Sequence, residues 1–176
     1  MTDLPDSNFP HHIFREYDIR GTAGTDIDER LAYRLGKAFA SLLPEHSRHP
    51  VSVARDVRLS GKILQAAVMR GLNDAGKDVI DLGMVPTPLA YYSVFHLNTA
   101  GCIMVTASHN PSRDNGFKLM KGQESLYGQD IQKLKELIQL NLESTHKHGT
   151  IKACQIQSDY ENFVFADCPL STQLSR

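Results

Sequence analysis

Ser108, His109 and Lys118 place a hydroxyl, an imidazole and an ammonium in one short stretch of the chain. A hydroxyl is a weak nucleophile until a base takes its proton or a cation balances the charge that develops, and both kinds of helper are present. The stretch runs Thr106-Ala107-Ser108-His109-Asn110-Pro111 and continues as Asp114-Asn115-Gly116-Phe117-Lys118. Pro111 disfavours helix at Asn110, so the segment is expected to be an exposed loop. These residue types also favour ordinary turns, and the local sequence leaves both readings open: a reactive loop or a plain connection. The Gly-x-Ser-x-Gly elbow of serine hydrolases is absent around Ser108, which Ala107 and His109 flank. The Gly-x-x-x-x-Gly-Lys-Ser/Thr phosphate loop is absent as well.

Such a loop needs a strand to carry it. Gly101 to Thr106 has no polar side chain before Thr106, the pattern of a strand covered by helices on both faces. Ligands of open α/β sheets sit beyond the carboxyl ends of strands, which is where Ser108 falls. Upstream, Asp26 or Asp28 can cap a helix that puts Leu31, Leu35, Phe39 and Leu42 on one face, and Pro44 with the polar run to Pro50 stops it. Val51 to Ala54 predicts a short strand. Ser60 can cap a helix in which Leu64, Val68 and Leu72 recur until Gly76. Val79 to Leu82 predicts another strand, and in Pro86-Thr87-Pro88 the spacing predicts Thr87 as a cap with Pro88 in the first helical turn. Phe117 to Met120 predicts a fourth strand, and Ile131, Leu134, Leu137 and Ile138 an amphipathic helix ending near Asn141. This alternation predicts a three-layer α/β/α domain, a short mixed sheet between helices, with the Ser108 loop at one edge of the layer.

With 176 residues and 41% apolar content the chain can bury a real core, as one domain with tails. The expected organisation is a flexible amino terminus over 1–12, the folded domain over 13–142, and a linker over 143–176. In that linker Glu143 to Gly149 is polar, and Asp159 to Arg176 is too short to fold alone. A formal net charge of −1 gives no electrostatic case for nucleic acid or an anionic membrane as partner. The apolar runs, such as Cys102 to Val105, fall far short of a bilayer span, and Met1 to Phe9 is acidic and polar rather than signal-like. A soluble cytoplasmic protein is therefore expected. Cys102, Cys154 and Cys168 form no Cys-x-x-Cys pair and are expected to be structural or incidental thiols. His146 and His148 have no carboxylate or cysteine at ligand spacing, which argues against a metal site there.

The Thr106 to Pro111 loop with Asn115-Gly116-Phe117-Lys118 resembles the phosphoserine loop of the α-D-phosphohexomutases, the phosphomannomutase/phosphoglucomutase family. Phe14-Arg15-Glu16-Tyr17-Asp18-Ile19-Arg20-Gly21 is similar to that family's amino-terminal signature, and Arg55-Asp56-Val57-Arg58-Leu59-Ser60 to its second loop. Gly83-Met84-Val85-Pro86-Thr87-Pro88 is similar to the corner before its third helix. These motifs fall in the family's order over about residues 13 to 140. The resemblance implies that phosphorylated Ser108 gives its phosphoryl group to a hexose 1- or 6-phosphate, of mannose or glucose. The 1,6-bisphosphate then turns around and returns the other group to Ser108. It implies Ser108 as nucleophile and donor and also as a ligand of Mg²⁺. His109 and Lys118 are implied as the groups that neutralise charge and move the sugar hydroxyl proton, and Tyr17 and Arg20 as substrate contacts from the amino-terminal segment.

The residue types suit that chemistry. A phosphoserine carries about −1.5 to −2 charge and repels a second phosphate unless cations intervene. Opposite charges about 4 Å apart gain about 1 kcal/mol in water and about 4 at an effective dielectric of 20, which favours a closed cleft. A lysine acts as base only where burial or a neighbouring cation favours its neutral form, and the fork of Arg20 suits phosphate oxygens. Arg20 has an alternative partner in Asp18 or Asp26, and Arg55, Asp56 and Arg58 are expected to form an ion-pair network that shapes the loop. Lys62 and Lys121 are expected to be solvated.

Full members of the family have four domains, and this chain resembles the first. The family's magnesium-binding aspartate loop, its sugar-selecting loop and its fourth-domain phosphate loop have no counterpart here. The segment from Asp159-Tyr160 onward resembles the connector into the second domain. The expected state is a domain that would normally pack against domains II–IV, nearly inactive by itself and exposing an apolar patch where they would sit. Two other readings remain open at this point: a non-catalytic module that folds and binds phosphate or a partner domain, and a serine hydrolase using Ser108 and His109.

Overall fold

A computed structural model of the chain describes residues 9–44, 47–140, 142–145 and 147–167. A 3-10 turn, His11–Ile13, leads into β1 (Ile19–Thr22), a strand that the sequence pattern does not announce. Asp28 caps α1 (Glu29–Leu42), its carboxylate accepting the Leu31 amide at 2.7 Å, and Leu31, Leu35 and Phe39 are buried on the expected face. Then come β2 (Val51–Arg55), α2 (Gly61–Asp74), β3 (Val79–Met84), α3 (Thr87–His96) and β4 (Gly101–Val105). The chain continues through β5 (Asp114–Lys121), β6 (Glu124–Ser125), α4 (Gln129–Gln139), β7 (Ile151–Ala153) and α5 (Gln157–Asp167).

Two helix starts differ from expectation. Ser60 sits at the start of α2 in helical conformation and makes no capping bond; its hydroxyl instead accepts Asn115 Nδ2 at 2.8 Å, which ties α2 to β5. Thr87 is the first residue of α3 rather than its cap. The cap position belongs to extended Pro86, with Pro88 in the first turn as expected.

The strands form one mixed sheet in the order β1-β5-β4-β2-β3-β7, with β6 paired to β5. β4, β2, β3 and β7 run parallel, while β5 is antiparallel to both β4 and β1. The alternation of side chains sorts the core into two faces. Val51, Val53, Ile103, Val105, Phe117 and Leu119 meet α1, α2 and α4, whereas Ala54, Cys102, Met104 and Met120 meet α3. This is the expected helix-sheet-helix sandwich. Burial pushes the Cys102 thiol up to about 12, which makes it an inert structural residue, as expected, and Cys154 is half-buried.

The connection after β2 runs to β3 on one side, while β4 lies on the other, so the carboxyl ends of β2 and β4 open side by side. That is the crevice where sheets of this kind bind ligands.

The ends of the chain differ from the expected tails. Phe9 is buried and its ring stacks on Phe14 at 5.5 Å, so this residue of the expected flexible terminus is packed, while His11 and His12 are exposed; residues 1–8 lie outside the described residues. Within the expected linker, β7 extends the sheet. The Asp78 carboxylate accepts both the amide and the hydroxyl of Thr150 at 2.7 Å, and the Cys154 amide donates to the Asp81 carbonyl at 2.9 Å. α5 lays Tyr160 and Phe163 against Tyr92 of α3, at 5.3 and 5.2 Å between rings. His148 pairs with Asp74 at 3.0 Å. Asn141, His146 and Cys168 lie outside the described residues. Among the described residues no helix is long and apolar enough to cross a membrane.

Candidate functional site

Ser108 lies just past β4, exposed, with a φ of 57°. That left-handed conformation costs a residue with a side chain about 1–3 kcal/mol and persists only where neighbours impose it. They do so from both sides. The Ser108 amide donates to Thr106 Oγ1 at 2.8 Å, and the Ser108 carbonyl accepts from the Arg58 guanidinium at 2.9 Å. Thr106 in turn donates its hydroxyl to Asp56 Oδ2 at 2.7 Å, and the same oxygen takes Arg58 Nε at 3.2 Å. Arg58 also donates to the carbonyls of Asn110, Pro111 and Asp114, at 2.7, 2.6 and 2.9 Å. The expected Asp56–Arg58 network is therefore present; Arg55 takes a lesser part, donating to the Asp56 carbonyl at 3.2 Å. Among the described residues the bonds of Ser108 are to its amide and carbonyl, and its Oγ makes no hydrogen bond, so that oxygen stays available.

Asp18 joins two of the other candidates. It is buried, and its Oδ2 lies 2.6 Å from Arg20 Nη2 and 3.6 Å from Lys118 Nζ. Arg20 comes from β1 and Lys118 from β5, strands joined by antiparallel pairing in which Arg20 faces Gly116. Arg20 also donates to Asn110 Oδ1 at 3.0 Å, and Asn110 donates to Asp114 Oδ2 at 3.2 Å, so the amino-terminal segment is bonded to the Ser108 loop. Asp18, one of the two alternative partners expected for Arg20, is its partner here, but the pair is nearly buried rather than at the surface.

The structure thus joins Arg20 and Lys118 through Asp18 and links Arg20 to the loop through Asn110. Tyr17, 72% exposed, and the exposed His109 stand near in sequence, but no hydrogen bond connects either to Ser108 among the described residues. Asp18 and Thr106 carry much of the geometry and do not stand out by residue type. Their only signal in the sequence is that each sits within a motif beside a candidate.

A magnesium ion wants several oxygen ligands. Among the described residues no group of three or more His, Cys, Asp or Glu side chains could hold a metal. Asp56 is taken up by Arg58 and Thr106, and Asp114 by Asn110, while Ser108 Oγ is open. These residues alone do not fit a complete magnesium site.

Residues 11–144 match the family described as phosphoglucomutase/phosphomannomutase, alpha/beta/alpha domain I. The chain is 37% identical to a phosphomannomutase/phosphoglucomutase of Pseudomonas putida over 174 residues, 99% of this chain and 37% of that protein. It is 39% identical to a phosphomannomutase of Klebsiella pneumoniae over 154 residues, 84% of this chain and 95% of that sequence. A crystal structure of a phosphoglucomutase/phosphomannomutase family protein from Burkholderia thailandensis superposes with a TM-score of 0.80 at 37% identity, over 88% of this chain and 35% of that one. The chain therefore spans little more than a third of the Pseudomonas and Burkholderia proteins. With the α/β/α sandwich, the serine loop at its crevice and the match over residues 11–144, the chain belongs to the phosphoglucomutase/phosphomannomutase family, as its domain I.

Proposed function

We propose that Ser108 is the phosphoryl carrier of a phosphohexomutase, working on mannose or glucose phosphates through a 1,6-bisphosphate. The observation that carries this reading is the exposed, unbonded Ser108 Oγ on a loop whose backbone is fixed and to which Arg20 is bonded. In the forward step the bond between phosphorus and Ser108 Oγ breaks as a bond to the sugar hydroxyl oxygen forms. The hydroxyl proton passes to His109, and the serine oxygen takes up a proton from solvent. Reversal with the turned bisphosphate restores the phosphoserine. Arg20 and Lys118 supply positive charge near the transferred group, and Tyr17 offers a surface for the sugar. Family membership implies Mg²⁺ in the full enzymes; in this chain Ser108 is the one residue proposed to touch it. Residues 13–142 form the catalytic layer in this reading, and 143–176 leads toward domain II. Domains II–IV would supply the remaining charge and close the cleft, without which the chain is expected to be nearly inactive.

The serine-hydrolase reading lacks its base, because His109 makes no hydrogen bond to Ser108 among the described residues. A non-catalytic module is the competing reading, and its support is the incomplete metal site. Intact-mass measurement with peptide mapping, after incubating the chain with glucose 1,6-bisphosphate and separately expressed domains II–IV, tests the choice. Phosphate on Ser108 with mutase turnover, both lost in Ser108→Ala, is expected; well-folded pieces that leave Ser108 unmodified would favour the module.

A further inference from the structure

We propose that Arg58 is the positioning residue of the Ser108 nucleophile, holding the serine in its left-handed conformation through the carbonyl oxygens of its own loop. A guanidinium has five N–H donors. Arg58 meets Asp56 Oδ2 and the carbonyls of Ser108, Asn110, Pro111 and Asp114, all between 2.6 and 3.2 Å. Every donor has an acceptor in the protein and the side chain is only 10% exposed, so this arginine, although it lies in the crevice, is not a phosphate ligand.

Its work is on the backbone. Arg58 takes hold of the Ser108 carbonyl while Thr106 takes hold of the Ser108 amide, and Asp56 Oδ2 anchors both. With both backbone groups of one residue tied to a common carboxylate, its rotation is fixed and Oγ is left to react. The planar fork matters as much as the charge. A lysine in its place would offer three donors from a single point and could not span carbonyls spread from Ser108 to Asp114. All of these groups belong to this chain, so the loop holds its shape without other domains.

The purpose of this positioning rests on the phosphotransfer reading, but its geometry can be tested apart from it. Isotope-labelled wild-type chain, Arg58→Lys and Arg58→Ala are compared by NMR for the backbone shifts and intraresidue contacts of Ser108. Each is then mixed with separately expressed domains II–IV, loaded from glucose 1,6-bisphosphate over a range of concentrations and followed by intact mass. In wild type Ser108 should carry the left-handed signature. In both variants that signature should be lost while the signals of β2 and β4 stay in place. The maximal loading rate should fall about 100-fold, as for a displaced reacting atom, with the half-saturating donor concentration unchanged. Arg58→Lys keeps the charge and the stem, and so serves if Arg58→Ala does not fold. A folded variant that retains the left-handed signature would overturn the proposal. So would a raised half-saturating concentration at unchanged maximal rate, which would make Arg58 a phosphate ligand. A wild-type chain that never loads would sink the phosphotransfer reading, and the NMR comparison would still decide for or against Arg58.

Discussion

Replacing Asp18 by Asn removes one negative charge from between two cations while keeping the shape of the side chain. The Asp18 side chain is 8% exposed, and its partners Arg20 and Lys118 are 13% and 24% exposed. Its Oδ2 stands 2.6 Å from Arg20 and 3.6 Å from Lys118. At an effective dielectric of about 20, one charge pair near 4 Å is worth about 4 kcal/mol before desolvation. Release of the buried carboxylate's own desolvation cost offsets part of this. Breaking a buried pair by removing one partner costs about 3–5 kcal/mol, and the partial exposure of Lys118 places the expected loss at the low end, about 3 kcal/mol. With a urea slope of about 1–3 kcal/mol per molar, the unfolding midpoint should fall by about 1–3 M. Urea titrations followed by circular dichroism, at low salt and at about 1 M salt, measure this. The loss should persist in salt, since buried pairs are screened much less than surface ones. Adding Lys118→Met to Asp18→Asn should cost less than the two single changes summed, because the lysine has already lost its partner. An Asp18→Asn midpoint that matches wild type, or a deficit that disappears in high salt, would refute the idea that Asp18 holds Arg20 and Lys118 together.

Gly116→Ala should cost about 1–3 kcal/mol as an overpacked position, because its Cβ would collide with the Ile19 carbonyl oxygen across the β1–β5 pair. Amide exchange should then speed up in β1 more than in β2, and uniform exchange across both strands would count against this. The bonds from Thr150 hold the Asp78 carboxyl below its ordinary value of 3.8, and neighbouring lysines act in the same direction. A carboxyl lowered on folding gives stability that is present above about pH 4 and fades as pH falls through the lowered value. Thr150→Val should therefore flatten the acid end of the stability curve, between about pH 5 and pH 2. Identical acid profiles for the two proteins would show that this clasp carries no linkage. Val57 and Leu59 stand on either side of Arg58 in the segment after β2, at 80% and 99% exposure, so the chain should self-associate through them. Leu59→Asp should weaken that association while changing stability by less than about 0.5 kcal/mol, and a sharply monomeric wild type in sedimentation at high concentration would remove the patch.

How much of this was legible in the sequence depends on the range of each interaction. The faces of α1 and α4 show in the spacing of Leu31, Leu35 and Phe39 and of Ile131, Leu134 and Ile138, because burial on one side of a helix repeats along the chain. β4 is visible because both its faces are covered and all five residues are apolar or glycine. β1 is hidden because Ile19-Arg20-Gly21-Thr22 has no alternation; it is a strand because β5 supplies its bonds and because Gly116 lets the two backbones close. β7 is hidden for a similar reason, with three exposed residues that owe their conformation to the β3 edge and to Asp78. Ser60 has the right type for a cap, yet Asn115, far along the chain, takes its hydroxyl. In the site, Ser108 stands out by type, whereas the positioning contacts of Arg58 reach residues about fifty positions away and arise only from the adjacency of β2 and β4.

In the proposed reading, those contacts separate two tasks of a phosphoryl-transfer site. Positioning is met within this chain, since Arg58, Thr106, Asp56 and Asn110 all come from the loops beyond β2 and β4. Charge balance is not. Arg20 and Lys118 share one carboxylate, Asp18, so the three together contribute a net charge of +1. A phosphoserine brings about −1.5 to −2, and a sugar phosphate adds a similar amount. The deficit exceeds what the exposed His109 could cover even if protonated, and the open crevice keeps the local dielectric high, which weakens each cation present. In the proposed reading the missing charge would come from domains II–IV. The division predicts how the parts fail. Changes at Arg58 or Thr106 should act on the loop whether or not other domains are added, whereas changes at Arg20 or Lys118 should show their full effect on transfer only once the cleft is closed.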